Sequence, residues 1–280
     1  MSTKHPLYLL LLFVFLGLAS TQKDPRTEFF PKLEEKPKAI PAKENLWVFI
    51  LAGQSNMAGR GKVEPMDTIP DPRILTINKT GEVILAKEPL HFYEPTLTGL
   101  DCGLSFGKEL LKYIPDSVSI LLLPTAVGGS AIQQWIGDET YRNVSLFSNF
   151  KEKVAIGKQY GTIKAILWHQ GESDAASPET INIYDKQLGV LFSKFRAEVG
   201  NPNLSICFGR LGSFSKTDES WQAINAKMED YQKTDPFSYL IQTKNLNQKG
   251  DFIHFDSEGQ RAMGVSFAKA YIQRGFIVVE

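Results

Sequence analysis

The chain has 280 residues, which suits one α/β domain or two small ones, and a core of this size folds without disulfides or metals. Its 31 basic and 31 acidic residues cancel, and they are interspersed along the chain. A nucleic-acid partner is therefore not expected, because polyanion binders carry a basic excess or stripe. The apolar content of 42% is ordinary for a globular protein, and a neutral or weakly charged ligand fits this balance best.

The first 20 residues follow the pattern of an export signal. Lys4 and His5 precede an unbroken apolar run that ends at Ala19, next to a second small residue, Ser20. We predict a signal peptide over residues 1–20 and a secreted or periplasmic product. The run is shorter than the roughly 20 apolar residues that cross a membrane, so we expect no stable membrane insertion after cleavage. An uncleaved anchor is the alternative.

Residues 21–44 are rich in Lys, Glu and Pro and follow neither the helical nor the strand period, so we expect an extended tether. The domain is predicted over residues 45–280. Short apolar runs predict five buried strands, over 46–52, 118–123, 163–168, 204–208 and 239–241. Helical spacing predicts helices over 104–114, 181–199, 219–233 and 257–272. Strands that alternate with helices predict a parallel sheet covered on both faces.

The two cysteines, Cys102 and Cys207, leave one question open. Export would permit a disulfide between them, but nothing in the sequence brings them together.

Three loops that follow predicted strands are unusual, and ligand sites in parallel sheets form at such strand ends. They span Gly53–Gly61, Ala126–Ser130 and His169–Asp174. In the first loop, Ser55 follows the strand directly, where a turn could expose its hydroxyl as a nucleophile. A turn or N-cap role is the more common use of a lone serine beside a glycine.

His254 is the best candidate for the base that a nucleophilic serine needs. It lies in a loop between the last predicted strand and the last helix, and Asp251 precedes it by three residues. An Asp at this spacing can reach the imidazole, fix its tautomer and stabilise its charged form. A surface ion pair beside the helix N-terminus is the alternative.

His169 and Glu172 permit a different interpretation, a zinc site, because they are three residues apart at a strand end. Zinc needs a third protein ligand, and His91 is the remaining histidine of the predicted domain. A neutral His169 packed beneath its loop is the simpler explanation.

The stabilisation of an oxyanion needs hydrogen-bond donors near the nucleophile. The Gly128-Gly129 pair can present a backbone N–H group, Gln170 offers a side-chain amide, and Ser55 adds its own N–H. Glu172 is either a second acid near the histidine or a residue that ties the loops together.

These blocks, in this order, resemble the SGNH hydrolase superfamily, and within it the branch of sialate O-acetylesterases and carbohydrate esterase family 6, which includes acetylxylan esterases. The blocks are Gly53–Gly59, the Gly128-Gly129 loop, Trp168–Asp174 and the pair Asp251 and His254, and the resemblance extends from Leu46 to about Gly275. It implies a three-layer α/β/α sandwich of SGNH or flavodoxin-like type with a five-stranded parallel sheet. It also implies ester hydrolysis on acetylated sugars without a metal or another cofactor.

The resemblance implies roles for the residues that match its blocks: Ser55 as nucleophile, His254 as base, Asp251 or Glu172 as the orienting acid, and Ser55, Gly129 and Gln170 as oxyanion donors. We favour Asp251 as the orienting acid. The expected function is a serine esterase that hydrolyses O-acetyl esters on acetylxylan or related sugars through an acetyl-enzyme. A sialate O-acetylesterase, a non-catalytic carbohydrate-binding domain and a zinc hydrolase are the alternatives.

Overall fold

The computed structural model describes residues 24–273 and contains one large sheet and one small hairpin. The strands are β1 (Leu46–Gly53), β2 (Ile74–Ile77), β3 (Val83–Leu85), β4 (Ser119–Pro124), β5 (Thr140–Tyr141), β6 (Val144–Ser145), β7 (Thr162–His169), β8 (Ser205–Gly209) and β9 (Ser238–Ile241). The large sheet has the strand order β3-β2-β4-β1-β7-β8-β9, and β5 pairs with β6 alone. All neighbours in the large sheet are parallel except β2 and β3.

The helices cover both faces of this sheet. They are α1 (Ser55–Ala58), α2 (Gly103–Leu110), α3 (Ile132–Gly137), α4 (Leu146–Tyr160), α5 (Pro178–Val199), α6 (Asp218–Thr234) and α7 (Ser257–Tyr271). Apolar side chains of α2 and α7 pack in one buried cluster, and those of α3 to α6 pack in the other. The predicted three-layer α/β/α architecture is confirmed.

The central strand β1 explains why both faces must be covered. Val48 and Ile50 belong to the cluster beneath α3 to α6, whereas Phe49 and Leu51 belong to the cluster beneath α2 and α7. All four side chains are completely buried. Successive strand residues point to opposite faces, so a continuous apolar run requires a core on each side.

The predicted number of five strands is wrong, because the sheet has seven. The five predicted runs correspond to β1, β4, β7, β8 and β9. The additional strands β2 and β3 have four and three residues and form an antiparallel hairpin at one edge. Such short runs, separated by a turn, carry little periodic signal in the sequence.

Of the predicted extended tether over residues 21–44, the structure describes residues 24–44 and places them against the domain. Leu85 of β3 donates a backbone hydrogen bond to Glu35 O at 2.7 Å, and the Arg26 guanidinium donates to Thr98 O. The predicted signal peptide over residues 1–20 lies outside the described residues. Across residues 24–273, no helix has the length and apolarity to span a bilayer.

Both cysteines are free and buried, which answers the question that the sequence left open. Cys102 precedes α2 and lies 3.7 Å from the Met57 sulfur, whereas Cys207 lies within β8. The structure therefore contains no bridge between them.

Candidate active site

The site lies at the carboxyl ends of β1, β4 and β7, where three loops converge. Gly53 ends β1 beside His169, the last residue of β7. Its φ of +139° is a conformation that favours glycine, and a Cβ at this position would lie 2.1 Å from His169 O. Only glycine allows the two strand ends to approach so closely, and this approach brings the loops that follow them together.

Ser55 is the first residue of α1, and its side chain meets His254 from a loop almost 200 positions away. The distance from Ser55 Oγ to His254 Nε2 is 3.0 Å, and Ser55 is 6% exposed. The backbone N–H of Ser55 has no partner within its helix because it lies in the first turn. The hydroxyl and this N–H are thus both available at one strand end.

Asp251 holds the other side of the imidazole. Its Oδ2 lies 2.8 Å from His254 Nδ1, and its Oδ1 accepts the backbone N–H groups of Ile253 and His254. Burial alone would raise the pKa of Asp251, but these hydrogen bonds outweigh it and lower the pKa to about 2. The carboxylate is therefore ionised at neutral pH and fixes the proton on His254 Nδ1.

The electrostatic balance at His254 favours a neutral imidazole. Burial is the largest influence and lowers the pKa of His254 below its ordinary value, although the hydrogen bond and charge of Asp251 oppose it. A neutral ring with its proton on Nδ1 presents the Nε2 lone pair to the Ser55 hydroxyl. The side chains of Ser55, His254 and Asp251 thus form the hydrogen-bonded chain that activates a serine.

Glu172 lies in the same cavity but has a different partner. Its Oε1 accepts a hydrogen bond of 2.6 Å from Asn56 Nδ2. Asn56 also donates to Ile253 O and accepts from Phe255 N, and so it binds the backbone on both sides of His254. Of the two carboxylates that the sequence offered, Asp251 contacts the imidazole and Glu172 acts on its loop through Asn56.

Gly128 and Gly129 line the cavity beside Ser55. The Gly128 N–H donates to Glu94 Oε2 at 2.6 Å, and Gly129 O accepts from Ser173 Oγ at 3.0 Å. Gly129 has a φ of +83°, and its N–H has no acceptor among residues 24–273. This N–H is the free donor that the sequence predicted for the loop.

Gln170 does not reach the cavity, contrary to the expectation for an oxyanion donor. It is completely buried, and Tyr184 Oη lies within hydrogen-bond distance of both its backbone O, at 2.9 Å, and its Oε1, at 3.0 Å. Its Nε2 faces Asp174 Oδ2 at 2.5 Å, Ser130 O at 3.2 Å and Gln54 Oε1 at 3.1 Å. The two N–H groups are thus directed at protein acceptors beneath the loops.

Gln54, unlike Gln170, has an amide group at the cavity. Its Oε1 accepts from the Ser173 N–H at 3.2 Å and from Gln170, so the opposite end of the amide, Nε2, is the free one. Gln54 lines the cavity, and its Nε2 has no acceptor within the described part of the chain. The only sequence signal for this residue was its position directly before Ser55.

The cavity has a volume of about 440 Å³ and is open to solvent. Four cationic side chains border it, and each lies near a carboxylate: Arg26 with Asp24, Arg60 and Arg142 with the shared Glu94, and Lys249 with Asp251. Together with Glu172, which also lines the cavity, these carboxylates equal the four cations in number. A polar border with balanced charges suits a polyhydroxylated ligand better than an apolar one.

The zinc interpretation finds no support in the arrangement of its three residues. His91 Nδ1 pairs with Asp101 in a separate buried cluster, and His169 Nε2 bonds to Arg210 O at 3.0 Å. Burial lowers the pKa of His169, which corresponds to the neutral, packed histidine of the simpler explanation. No group of three metal-ligating side chains occurs between residues 24 and 273.

Comparison with known proteins defines the class to which this fold and site belong. A family model described as "Carbohydrate esterase, sialic acid-specific acetylesterase" matches residues 45–273. The "Probable carbohydrate esterase At4g34215" of Arabidopsis thaliana is 30% identical over 264 residues, which cover 85% of this chain and 95% of that protein. The chain therefore belongs to this carbohydrate esterase family, which confirms the resemblance, and it is a carboxylic ester hydrolase that acts on acetylated sugars.

Solved structures agree with the fold. The X-ray structure of the Arabidopsis protein AT4G34215 superposes with a TM-score of 0.72 at 27% identity, covering 82% of this chain and 98% of that one. NanS gives a TM-score of 0.67 at 17% identity, with 84% and 98% covered. XAC1771, a carbohydrate acetylesterase from Xanthomonas citri, gives 0.61 at 17% identity, with 83% and 57% covered. The last two similarities concern the fold alone.

Proposed function

We propose that this protein is a serine esterase that removes O-acetyl groups from carbohydrate through an acetyl-enzyme intermediate. The observation that carries the proposal is the hydrogen-bonded chain from Ser55 Oγ through His254 to Asp251, which opens into a polar cavity. In this proposal Ser55 is the nucleophile, His254 the general base and Asp251 the orienting acid.

The reaction starts when the neutral His254 Nε2 takes the proton of Ser55 Oγ as the oxygen attacks the acetyl carbonyl carbon. The tetrahedral intermediate collapses, and the sugar alcohol leaves with the proton from His254. Water then attacks the acetyl-enzyme, His254 again takes a proton, and acetate is released as Ser55 recovers its hydrogen. Asp251 keeps the ring in the required tautomer and stabilises its charged form during both steps.

The oxyanion would bind three donors that face the cavity. The backbone N–H groups of Ser55 and Gly129 are two of them, as the sequence predicted. We assign the third position to Gln54 Nε2, because Gln54 lines the cavity with a free amide end and Gln170 is buried. Gln170 then acts as a support that holds the Gln54 carboxamide in place.

The substrate that we propose is a neutral acetylated polysaccharide of the acetylxylan type, because the cavity is open, polar and balanced in charge. A sialate O-acetylesterase is the second candidate. The exposed guanidinium of Arg142 at the rim favours it, because it could pair with the carboxylate of such a sugar. Acetate release from acetylxylan and from O-acetylated sialosides, measured side by side, distinguishes the two substrates.

Export is part of this proposal, since residues 1–20 carry the pattern of a signal peptide and polysaccharide substrates lie outside the cell. N-terminal sequencing of the protein recovered from the culture medium or periplasm tests it. A first residue near position 21 supports export, and retention of residues 1–20 in the cell contradicts it.

A serine mechanism can be separated from its alternatives on one chromogenic acetyl ester. We expect a serine-directed phosphonate to abolish hydrolysis and a chelator to leave it unchanged. Hydrolysis that the chelator abolishes would favour the zinc site of His169 and Glu172. The absence of hydrolysis with every acetylated substrate would favour a carbohydrate-binding domain without catalysis.

A further inference from the structure

We propose that Glu94 is a positioning residue that aims the Gly129 N–H at the oxyanion, an inference that rests on the proposed serine esterase function. Glu94 lies between β3 and α2, outside every block that the sequence analysis identified. Its side chain is 4% exposed, and its Oε2 accepts the Gly128 N–H at 2.6 Å. It therefore holds the loop from beneath, one residue before the proposed donor.

The Gly128-Gly129 peptide unit, which carries the Gly129 N–H, is held from both sides. Glu94 fixes the N–H that precedes this unit, and Ser173 Oγ fixes the carbonyl that follows it, at 3.0 Å from Gly129 O. Two adjacent glycines have more conformational freedom than any other pair, so a peptide between them keeps one direction only if its neighbours are anchored. Catalysis by a backbone donor depends on that direction.

Arg60 secures the carboxylate itself. Its Nη2 lies 2.9 Å from Glu94 Oε2, and both side chains are buried. A Cβ on Gly128 would lie 2.1 Å from that same Nη2, so the ion pair is packed directly against the loop backbone. Arg142 binds the other carboxylate oxygen, Oε1, from the β5–β6 hairpin. The three side chains connect separate segments of the chain to the oxyanion loop.

The two arginines also compensate the negative charge of Glu94. An uncompensated carboxylate beside the oxyanion site would oppose the negative charge that forms there. Burial alone would raise the pKa of Glu94, but Arg60, the Gly128 N–H and Arg142 outweigh it and hold that pKa below its ordinary value. Glu94 thus keeps its charge and its strong hydrogen bond, while the cluster of one carboxylate and two guanidinium groups is net positive.

The variant that tests this proposal is Glu94→Gln, which keeps the shape of the side chain and weakens its hydrogen bond with the Gly128 N–H. We expect kcat on an acetyl ester to fall by about tenfold or more per active site, with KM close to that of the wild type. Phosphonate titration counts the active sites, so a loss of folded protein is not mistaken for a loss of turnover. Glu82→Gln, on the surface beside Lys36, is the matched control and should behave as wild type.

A second readout concerns transition-state binding. An arylboronic acid forms a tetrahedral adduct with an active serine, so its inhibition constant should rise in Glu94→Gln by about the factor lost in kcat/KM. Unchanged per-site kcat and unchanged boronate inhibition would overturn the proposal. If Glu94→Gln does not fold, Glu94→Asp keeps the charge but shortens the reach to the Gly128 N–H, and the same two readouts are measured on that variant. Full activity in Ser55→Ala would instead refute the proposed function.

Discussion

At the residue scale, Asn56 joins the loop of Ser55 to the loop of His254. It follows the proposed nucleophile directly, and its side-chain amide binds Ile253 O and Phe255 N on either side of His254. The distance between Ser55 and His254 therefore depends on one short polar side chain, which Glu172 holds in turn. Two loops far apart in sequence are thus joined beside the contact between Ser55 Oγ and His254 Nε2.

The first prediction concerns Asp251, which contacts the His254 ring, and Glu172, which contacts Asn56. Asp251→Asn should lower kcat by about 1000-fold or more, because the amide cannot hold the required tautomer of His254. Glu172→Gln keeps an oxygen for Asn56 and should cost far less. Steady-state kinetics on one acetyl ester compare the two variants, and a greater loss in Glu172→Gln would make Glu172 the orienting acid.

The pH dependence of the reaction gives a second prediction. Burial lowers the pKa of His254, and only the neutral ring can accept the Ser55 proton. The acid limb of kcat/KM should therefore lie below the ordinary histidine value of about 6.5. Asp251 opposes this shift, so the limb should move to still lower pH in Asp251→Asn. An acid limb above the ordinary value, or an upward movement in the variant, would contradict this assignment.

A third prediction concerns the third oxyanion donor. Gln54→Ala should lower kcat by about 100-fold, because it removes a donor that faces the cavity. Gln170→Ala should lower it less, because Gln170 only supports Gln54, and the exposed Gln133→Ala should change nothing. Rates per titrated active site make the comparison independent of folding yield. A larger loss in Gln170→Ala would return the donor role to Gln170.

At the scale of elements, the sequence predicted what depends on local pattern. The strands β1, β4, β7, β8 and β9 are continuous apolar runs, and α2, α5, α6 and α7 have clear helical spacing, with ends within about four residues of those predicted. Helix α4 was missed although it has 15 residues, because Lys153 and Gly157 interrupt its narrow apolar stripe. The hairpin of β2 and β3 was missed because its strands are short.

A fourth prediction concerns the contribution of helix α5 to the free energy of unfolding. Phe195 is completely buried, and its ring stacks on Phe150 of α4 with centroids 4.2 Å apart. Phe195→Ala should lower the free energy of unfolding by about 3–5 kcal/mol, since it leaves a cavity between two helices. Val190→Ala, at a half-exposed position of the same helix, should change it by about 0.5 kcal/mol or less. Denaturant titration measures both, and equal losses would contradict the packing described.

At the scale of the whole molecule, the topology explains why the site could be found in part from the sequence. Ser55 and the pair of Asp251 and His254 were identifiable because a strand end and a spacing of three residues are local features. Glu94, Arg60 and Arg142 were not, because an ion cluster assembled from separate loops leaves no periodic or spacing signal. Gln54 was missed for a similar reason, since only the hydrogen-bond network shows which glutamine faces the cavity.

The central claim is that Ser55 carries the acetyl group, and the most direct test is mass spectrometry of the protein quenched during turnover of an activated acetyl ester. We expect one added acetyl group on the peptide that contains Ser55, and neither adduct nor turnover in Ser55→Ala. An acetyl group on another residue, or sustained hydrolysis by Ser55→Ala, would contradict it.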